Sequence, residues 1–290
     1  MDPTQKQFSE NCRITSPRGA SKANSYQFTR RLRGSLLAAF ITSVVQVQTL
    51  LNAATIDETS SLSAFAKTWG ILKYYSPRVA SGGIDWDDAL IEAIPRVRQA
   101  ATKKDLNREL MKLIRAADLH NIPKTGFAGK QQSEAAFRWI GDGVLDSETR
   151  SILNTISHTT APATNQYVKA TPEIGTADFS GELPYATPEH PDVEHRLLAL
   201  FRYWNMVQYF FPYRDVIGRD WSEVLNEAIP RFVKAADATA YHLEVSRLAA
   251  SINDGHAGTR SPILDANWGN FRMPLRVRFI DRQSVVVRVF

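Results

Sequence analysis

Trp69-Gly70-Ile71-Leu72-Lys73-Tyr74-Tyr75-Ser76-Pro77 returns later in the chain as Trp204-Asn205-Met206-Val207-Gln208-Tyr209-Phe210-Phe211-Pro212. The spacing between the copies is 135 residues, and it holds beyond the quoted stretch. Asp85-Trp86 becomes Asp220-Trp221, and Glu92-Ala93-Ile94-Pro95-Arg96 recurs unchanged as Glu227-Ala228-Ile229-Pro230-Arg231. Without a gap, residues 61–116 and 196–251 agree at 18 of 56 positions. Chance agreement at average composition gives about three, so the chain carries a duplication, the signal to settle before reading single elements.

Each copy reads as three helices. Leu197, Leu198, Phe201, Trp204, Met206, Val207 and Phe210 recur at helical spacing, and Pro212 ends that run. Asp220 and Asp85 can cap the next helix by accepting its unpaired first-turn N–H groups. Val224, Leu225, Ala228 and Ile229 form its apolar stripe. Pro95 and Pro230 lack an N–H and are expected to end or kink this helix. The third helix carries Leu106, Leu110, Leu113 and Ile114 in the first copy, and Tyr241, Val245, Leu248 and Ile252 in the second. The repeated Trp and Tyr residues could line a carbohydrate or peptide groove; large aromatics at helical spacing more often bury area, and the core reading is preferred.

The order of segments follows. Residues 1–54 form a signal-like leader, 55–120 the first helical repeat, 121–190 an irregular linker, and 191–257 the second repeat. Within the linker, Phe137-Arg138-Trp139-Ile140 and a short helix near Ser147–Ile156 are expected to pack, while Thr159 to Tyr185 reads as extended. From Gly258 the pattern changes to period two. Met273, Leu275, Val277 and Phe279 alternate with Arg272, Arg276 and Arg278; after Asp281-Arg282-Gln283, Val285, Val287 and Val289 alternate with Val286 and Arg288. This predicts a β-hairpin. The chain ends at Phe290 inside its second strand, so 258–290 reads as the unfinished start of a β-containing region. The expected fold class is therefore mainly α, two duplicated three-helix units followed by a first β-hairpin.

Charge excludes one function class. Residues 1–54 hold seven basic residues and two acidic ones, a net +5 that equals the formal +5 of the whole chain. The remaining residues carry 28 of each sign, so the folded body lacks the basic field that nucleic-acid binding needs. Arg30-Arg31-Leu32-Arg33, an apolar stretch from Leu36 to Val45, and Asn52-Ala53-Ala54 give the basic, apolar, small order of a secretory signal. The other reading is a disordered tail entering a buried helix. An apolar run of about ten residues is too short for a bilayer core roughly 30 Å thick, so the mature chain is expected to have no membrane span. The single cysteine, Cys12, lies in the leader, which leaves the mature chain without a disulfide or a Cys-ligated metal.

Phosphate-cradling, dinucleotide, zinc-protease and GxSxG motifs are absent from the sequence. His190 and His195 are spaced poorly for shared metal ligation, and neither metal nor cofactor is expected. Ser251-Ile252-Asn253-Asp254-Gly255-His256-Ala257 is sharper. It follows the last helix and precedes the strands, with glycine allowing unusual dihedrals. The first copy has Asp118-Leu119-His120 nearby, out of register, so packing in the repeat does not require a histidine at 256. On residues alone, a single His on a turn is more often surface structure than catalyst.

The run Arg196 to Asn205, Tyr209-Phe210-Phe211-Pro212-Tyr213, Asp220-Trp221, Ile229-Pro230 and Asn253 to Ala257 resembles the N-terminal region of tail-specific (C-terminal-processing) serine peptidases, especially bacterial envelope members related to tricorn protease. Phe65 to Gly70, Lys73 to Pro77, Asp85-Trp86-Asp87 and Phe179-Ser180-Gly181-Glu182 with Tyr185 resemble it as well. The likeness spans about residues 60–290. It implies an exported serine peptidase of the periplasm or cell envelope of a bacterium, acting on peptide or protein substrates. It also implies a general base at His256, with the nucleophilic serine much further along. A neutral imidazole can accept a serine proton at neutral pH. Where tricorn-type proteins have serine before this histidine, Gly255 stands here. Other branches use a serine–lysine dyad, in which His256 would be structural. Ser261 and Ser284, the only serines after His256, lack a sharp Gly-flanked turn, so the 290 residues by themselves are expected to be inactive. The opposing readings are a non-enzymatic helical module binding peptide or another envelope protein, and an inactive product of a damaged gene.

Overall fold

Both Trp-to-Pro stretches form the C-terminal half of an 18-residue helix, and each proline follows the helix end. The computed structural model describes residues 55–119, 134–159, 161–162, 164–171, 176–185, 189–269 and 273–290. The signal-like leader with Cys12, the residues from His120 to 133, and Arg272 lie outside the described residues. The first repeat comprises α1 (Glu58–Tyr75), a short α2 (Pro77–Ala80), α3 (Trp86–Arg98) and α4 (Lys103–Ala117). A 3-10 helix (Glu134–Gly141), α5 (Ser147–Ser157) and the two-residue strands β1 (Lys169–Ala170) and β2 (Ala177–Asp178) follow. The second repeat is α6 (Val193–Phe210), α7 (Trp221–Lys234) and α8 (Ala238–Ala250), and then come α9 (Pro262–Trp268), β3 (Leu275–Ile280) and β4 (Gln283–Val289). The architecture is mainly α with a small antiparallel hairpin near the C-terminus, as the sequence pattern predicts.

The helix starts follow from side-chain chemistry. Asp85 accepts the N–H of Asp88, and Asp220 accepts that of Ser222; each carboxylate satisfies one of the donors that a helix start leaves open. Of the two outcomes expected of the prolines, an end to the helix is the one that does not occur. Pro95 and Pro230 sit inside helices that continue to Arg98 and Lys234. Each removes one helical hydrogen bond, a cost of about 3 kcal/mol or more. The flanking residues Ile94, Val97, Ile229 and Phe232 are buried, and their packing holds the helix through the missing bond.

The duplicated tryptophans form the same device twice. The Trp69 indole N–H donates to the Trp86 carbonyl at 2.8 Å, and Trp86 donates back to the Trp69 carbonyl at 3.1 Å. Trp204 and Trp221 repeat this at 2.7 and 3.0 Å. A buried indole needs a partner for its N–H; the reciprocal clasp satisfies both while fixing the first two long helices of each repeat together. Arg96 to Glu109 and Arg231 to Glu244 likewise repeat, at 3.0 and 2.9 Å. These aromatics are core residues, as the helical spacing indicated: Trp69, Trp86 and Trp204 have no exposed surface.

The repeats face each other through α1 and α6, with α1 also against α7 and α3 against α6. That reciprocity is a local two-fold relation. Gly70 and Asn205, equivalent under the 135-residue offset, meet where α1 crosses α6: a Cβ on Gly70 would lie 1.8 Å from Asn205 Oδ1. The Asn205 amide donates to the Ala66 carbonyl at 3.0 Å and to the Phe201 carbonyl at 2.8 Å, and these two residues are themselves 135 apart. Tyr74 and Tyr209, another equivalent pair, meet edge to face at 6.0 Å.

The segment read as an irregular linker docks at several points. Gln208 donates to the Ala136 carbonyl at 2.6 Å, and Phe137 packs on Tyr75 and Tyr209. Gln166 N–H donates to the Ala80 carbonyl at 2.8 Å, and Tyr167 and Val168 are buried. Gly181 is required by close approach, since a Cβ there would lie 1.8 Å from the Gln166 carbonyl oxygen.

The hairpin turns through Asp281 and Arg282, at φ 48° and 64°. Two consecutive left-handed residues give the two-residue turn whose twist matches paired strands; Gln283, expected in the loop, is the first residue of β4. An irregularity between Arg276 and Val277 leaves Val287 without a partner. Helix α9 is absent from the period-two expectation; Pro262 at its first turn and Ser261 as cap explain it.

Candidate functional site

His256 follows α8 on a turn whose shape is set locally. Ser251 closes the helix by donating its N–H to the carbonyls of Arg247 and Leu248. Asn253 adopts φ 54°, a left-handed value that asparagine tolerates better than most residues. Its amide then donates to the Ile217 carbonyl at 2.7 Å, tying the turn to the connection between α6 and α7. Asp254 reverses the chain: its Oδ1 accepts the His256 N–H at 2.9 Å, and its carbonyl accepts the Ala257 N–H at 3.0 Å.

The His256 side chain is 100% exposed, and its Nδ1 lies 3.2 Å from Asp254 Oδ1. The backbone and then the ring hydrogen bond from His256 hold the Asp254 carboxyl below its ordinary range. With Nδ1–H directed at the carboxylate, Nε2 is the free basic nitrogen, the arrangement in which an imidazole takes a proton from a neighbouring hydroxyl. Tyr203 lies close enough to feel the same charge: burial pushes its hydroxyl up to about 12, and Asp254 adds to that. No atom lies within 4 Å of a Cβ built on Gly255, so space does not enforce glycine at this position.

A serine–histidine contact distant in sequence went unrecognised there. Ser261 Oγ lies 2.8 Å from His242 Nδ1, and His242 Nε2 is 3.2 Å from the Glu189 carbonyl. Geometry alone would suit a dyad. The Ser261 hydroxyl, however, accepts the Leu264 N–H at 3.2 Å as the cap of α9, and the residue is buried. Its work is to dock α9 on α8. Nineteen residues separate the partners, and no local spacing announces them. Ser284 is exposed in β4. Ser261 is committed to its helix cap and Ser284 stands within a strand, so neither is presented on an exposed turn.

The most heavily charged interior point also escaped the sequence reading. Lys73 Nζ, fully buried, lies 3.1 Å from Asp87 Oδ1 and 2.8 Å from Glu182 Oε2. Arg202 bonds Asp87 and approaches Glu182 at 3.3 Å. Arg202 also donates to the Leu183 carbonyl at 3.0 Å, and the Lys73 ammonium sits over the Trp69 and Tyr167 rings at 4.6 and 4.2 Å. Burial pulls the Lys73 ammonium down and pushes the Glu182 carboxyl up, each opposed by the counter-charges. Two cations balance two anions, while Glu182 Oε1 and Arg202 Nε are buried without a hydrogen bond. It clamps the 176–185 segment across both repeats.

Among the described residues, no group of three or more His, Cys, Asp or Glu side chains could hold a metal ion. Nor is any described helix long and apolar enough to cross a membrane. The chain matches no protein-family model, no curated protein and no solved structure at a significant level.

Proposed function

We propose that this chain is the N-terminal part of an exported serine peptidase of the bacterial cell envelope, in which His256 is the general base and the attacking serine lies outside residues 1–290. The observation that carries this reading is the presentation of His256: a wholly exposed ring at the end of the second repeat, with Nδ1 against Asp254 and Nε2 free. The two repeats supply a rigid base for the turn through Asn253 and Ile217. In the reaction, Nε2 accepts the serine proton as the oxygen attacks the peptide carbonyl. The resulting imidazolium, facing the Asp254 carboxylate, then delivers that proton to the departing amine. The signal-like order of the leader supports export, and the resemblance of both repeats to tail-specific peptidases supports the substrate class.

The test is fluorophosphonate labelling of a polypeptide that continues past Phe290. Wild-type protein is expected to label at a serine outside residues 1–290, and His256→Ala to label about 100-fold more slowly or worse, the usual scale of a lost general base. Labelling that survives the substitution undiminished removes His256 from the mechanism. A wild-type polypeptide that never labels favours the non-enzymatic binding module instead. Residues 1–290 alone are expected to remain unlabelled, Ser261 included.

A further inference from the structure

Helices α7 and α8, with the connection that precedes α7, enclose a cleft of about 220 Å³ whose walls all lie within residues 219–251. Buried Val224 and Leu248 form its apolar base, and Arg219, Arg231 and Arg247 stand around it. Two glutamates join the arginines into one ladder. Glu227 Oε1 accepts from Arg219 at 2.8 Å, and its Oε2 lies 3.8 Å from Arg231. Glu244 Oε2 accepts from Arg231 Nε at 2.9 Å, and its Oε1 bonds Arg247. Three cations therefore share two carboxylates, and the ladder ends on an arginine at both sides. A guanidinium carries several N–H donors; Arg219 and Arg247 each use only one on a carboxylate. Their side chains are 41% and 58% exposed, so the remaining donors can meet a ligand.

The first repeat is an internal control. Arg96, Lys112 and Glu109 repeat the inner part of the ladder, at 3.0 and 2.8 Å. At the position of Arg219, however, the first copy has Ile84, and at that of Ala250, which lines the cleft, it has Arg115. The terminal arginine and the small wall residue belong to the second copy alone. We propose that this cleft binds a monocarboxylate carried on a short apolar group. One carboxylate brings the ladder to three charges of each sign, whereas a doubly charged phosphate or sulfate overcompensates it. Both oxygens of Glu227 are already directed at arginines, and the planar ligand carboxylate matches the free edges of Arg219 and Arg247. Val224 and Leu248 receive the apolar group. The volume lies below the roughly 300–1,000 Å³ of pockets that take drug-sized molecules, which restricts that group to a few carbons. Free short-chain acids and the terminal residue of a peptide both present this chemistry. The inference is independent of the role proposed for His256, and no step of it involves that residue.

The experiment titrates the isotope-labelled 290-residue chain with isovalerate and follows its amide shifts. Shifts at Val224, Leu248 and Ser251 are expected, saturating with a Kd of about 1 mM, the scale for a ligand of so few atoms. Isovaleramide, of the same shape without the charge, is expected to bind at least about tenfold more weakly. Arg219→Gln/Arg247→Gln is expected to lose the same factor with helical circular dichroism unchanged, while Lys112→Gln, the matching change in the first repeat, leaves affinity as in wild type. The tripeptide Gly-Gly-Leu separates the two sources. Tighter binding than isovalerate, with the same arginine dependence, identifies a chain terminus as the ligand; weaker binding identifies a free acid. Equal binding of isovalerate and isovaleramide overturns the proposal, as does a double variant that keeps wild-type affinity. So does sulfate that displaces isovalerate at equal concentration, or shifts that leave Val224 and Leu248 unmoved.

Discussion

Gly70→Ala probes the crossing on which the two repeats are built. The new methyl carbon would fall 1.8 Å from Asn205 Oδ1, so the Asn205 side chain must leave its place. In doing so it gives up its bonds to the Ala66 and Phe201 carbonyls, about 1 kcal/mol each. Crowding between packed helices adds about 1–3 kcal/mol, while alanine returns about 1 kcal/mol of helix propensity over glycine. The net is a loss of about 2–4 kcal/mol, or roughly 5–15 °C in Tm for a body of this size. Calorimetry and urea unfolding would read it. The stronger form is the exchange Gly70→Asn with Asn205→Gly. Since Ala66 and Phe201 are related by the same offset as positions 70 and 205, an amide at 70 meets the same two carbonyls from the opposite side. The exchanged protein is expected within about 1 kcal/mol of wild type, against a far larger sum of the single changes, a direct measure of coupling. If Gly70→Ala is neutral, or the exchange is merely additive, the local two-fold relation does not govern this crossing.

Glu182→Gln strips one anion from the buried four-charge cluster and leaves a cation uncompensated. A loss of about 3 kcal/mol is expected, with faster proteolysis within 176–185; a change below about 1 kcal/mol would show that the clamp does not hold that segment. Tyr167 and Tyr203 are each pushed up to about 12, in both cases mainly by burial. The unfolded chain gives up these protons near pH 10, so their contribution is intact below pH 10 and is lost as pH rises towards 12. Urea unfolding at pH 9, 10 and 11 should show that decline, and Tyr167→Phe/Tyr203→Phe should make it shallower without abolishing it, since burial also pushes up Tyr74, Tyr75, Tyr185, Tyr209 and Tyr241. Gly255→Ser meets no neighbouring atom, and Tm is expected to stay within about 2 °C of wild type; a larger fall would mean that the turn needs glycine there.

What could be read in advance was whatever the chain writes locally. The offset of 135 residues singled out the Trp69/Trp86 and Trp204/Trp221 pairs as equivalent core positions, because residues 17 apart were duplicated as a unit; their reciprocal hydrogen bonds emerge only from the fold. The helix expected near Ser147–Ile156 forms at Ser147–Ser157 behind the Asp146 cap. The four-charge cluster stayed hidden because Lys73 and Asp87 meet Glu182 and Arg202 across separations of up to 115 residues, which no periodicity encodes. Pro95 shows the complementary case: the local rule allows an end or a kink, and the buried neighbours that carry the helix past it belong to the tertiary packing.

The duplication also separates what the fold imposes at His256 from what it does not. Asp118 ends the third long helix of the first repeat with φ 46°, and Asn253 follows that of the second with φ 54°; the two positions are 135 apart. The left-handed exit is therefore a property of the repeated unit, met in each copy by a residue that tolerates it. The next positions diverge, Leu119 in the first copy and Asp254 in the second. Asp254 is the residue whose carboxylate turns the chain and faces the His256 ring. A scaffold that only had to close a helix did so in the first copy without this pair. The Asp254–His256 contact is thus an addition to an inherited turn, and a wholly exposed ring contributes too little packing to explain its presence by stability. On the proposed function this oriented imidazole acts through Nε2, and its addition to a turn that the first copy closes without it is the observation that reading builds on.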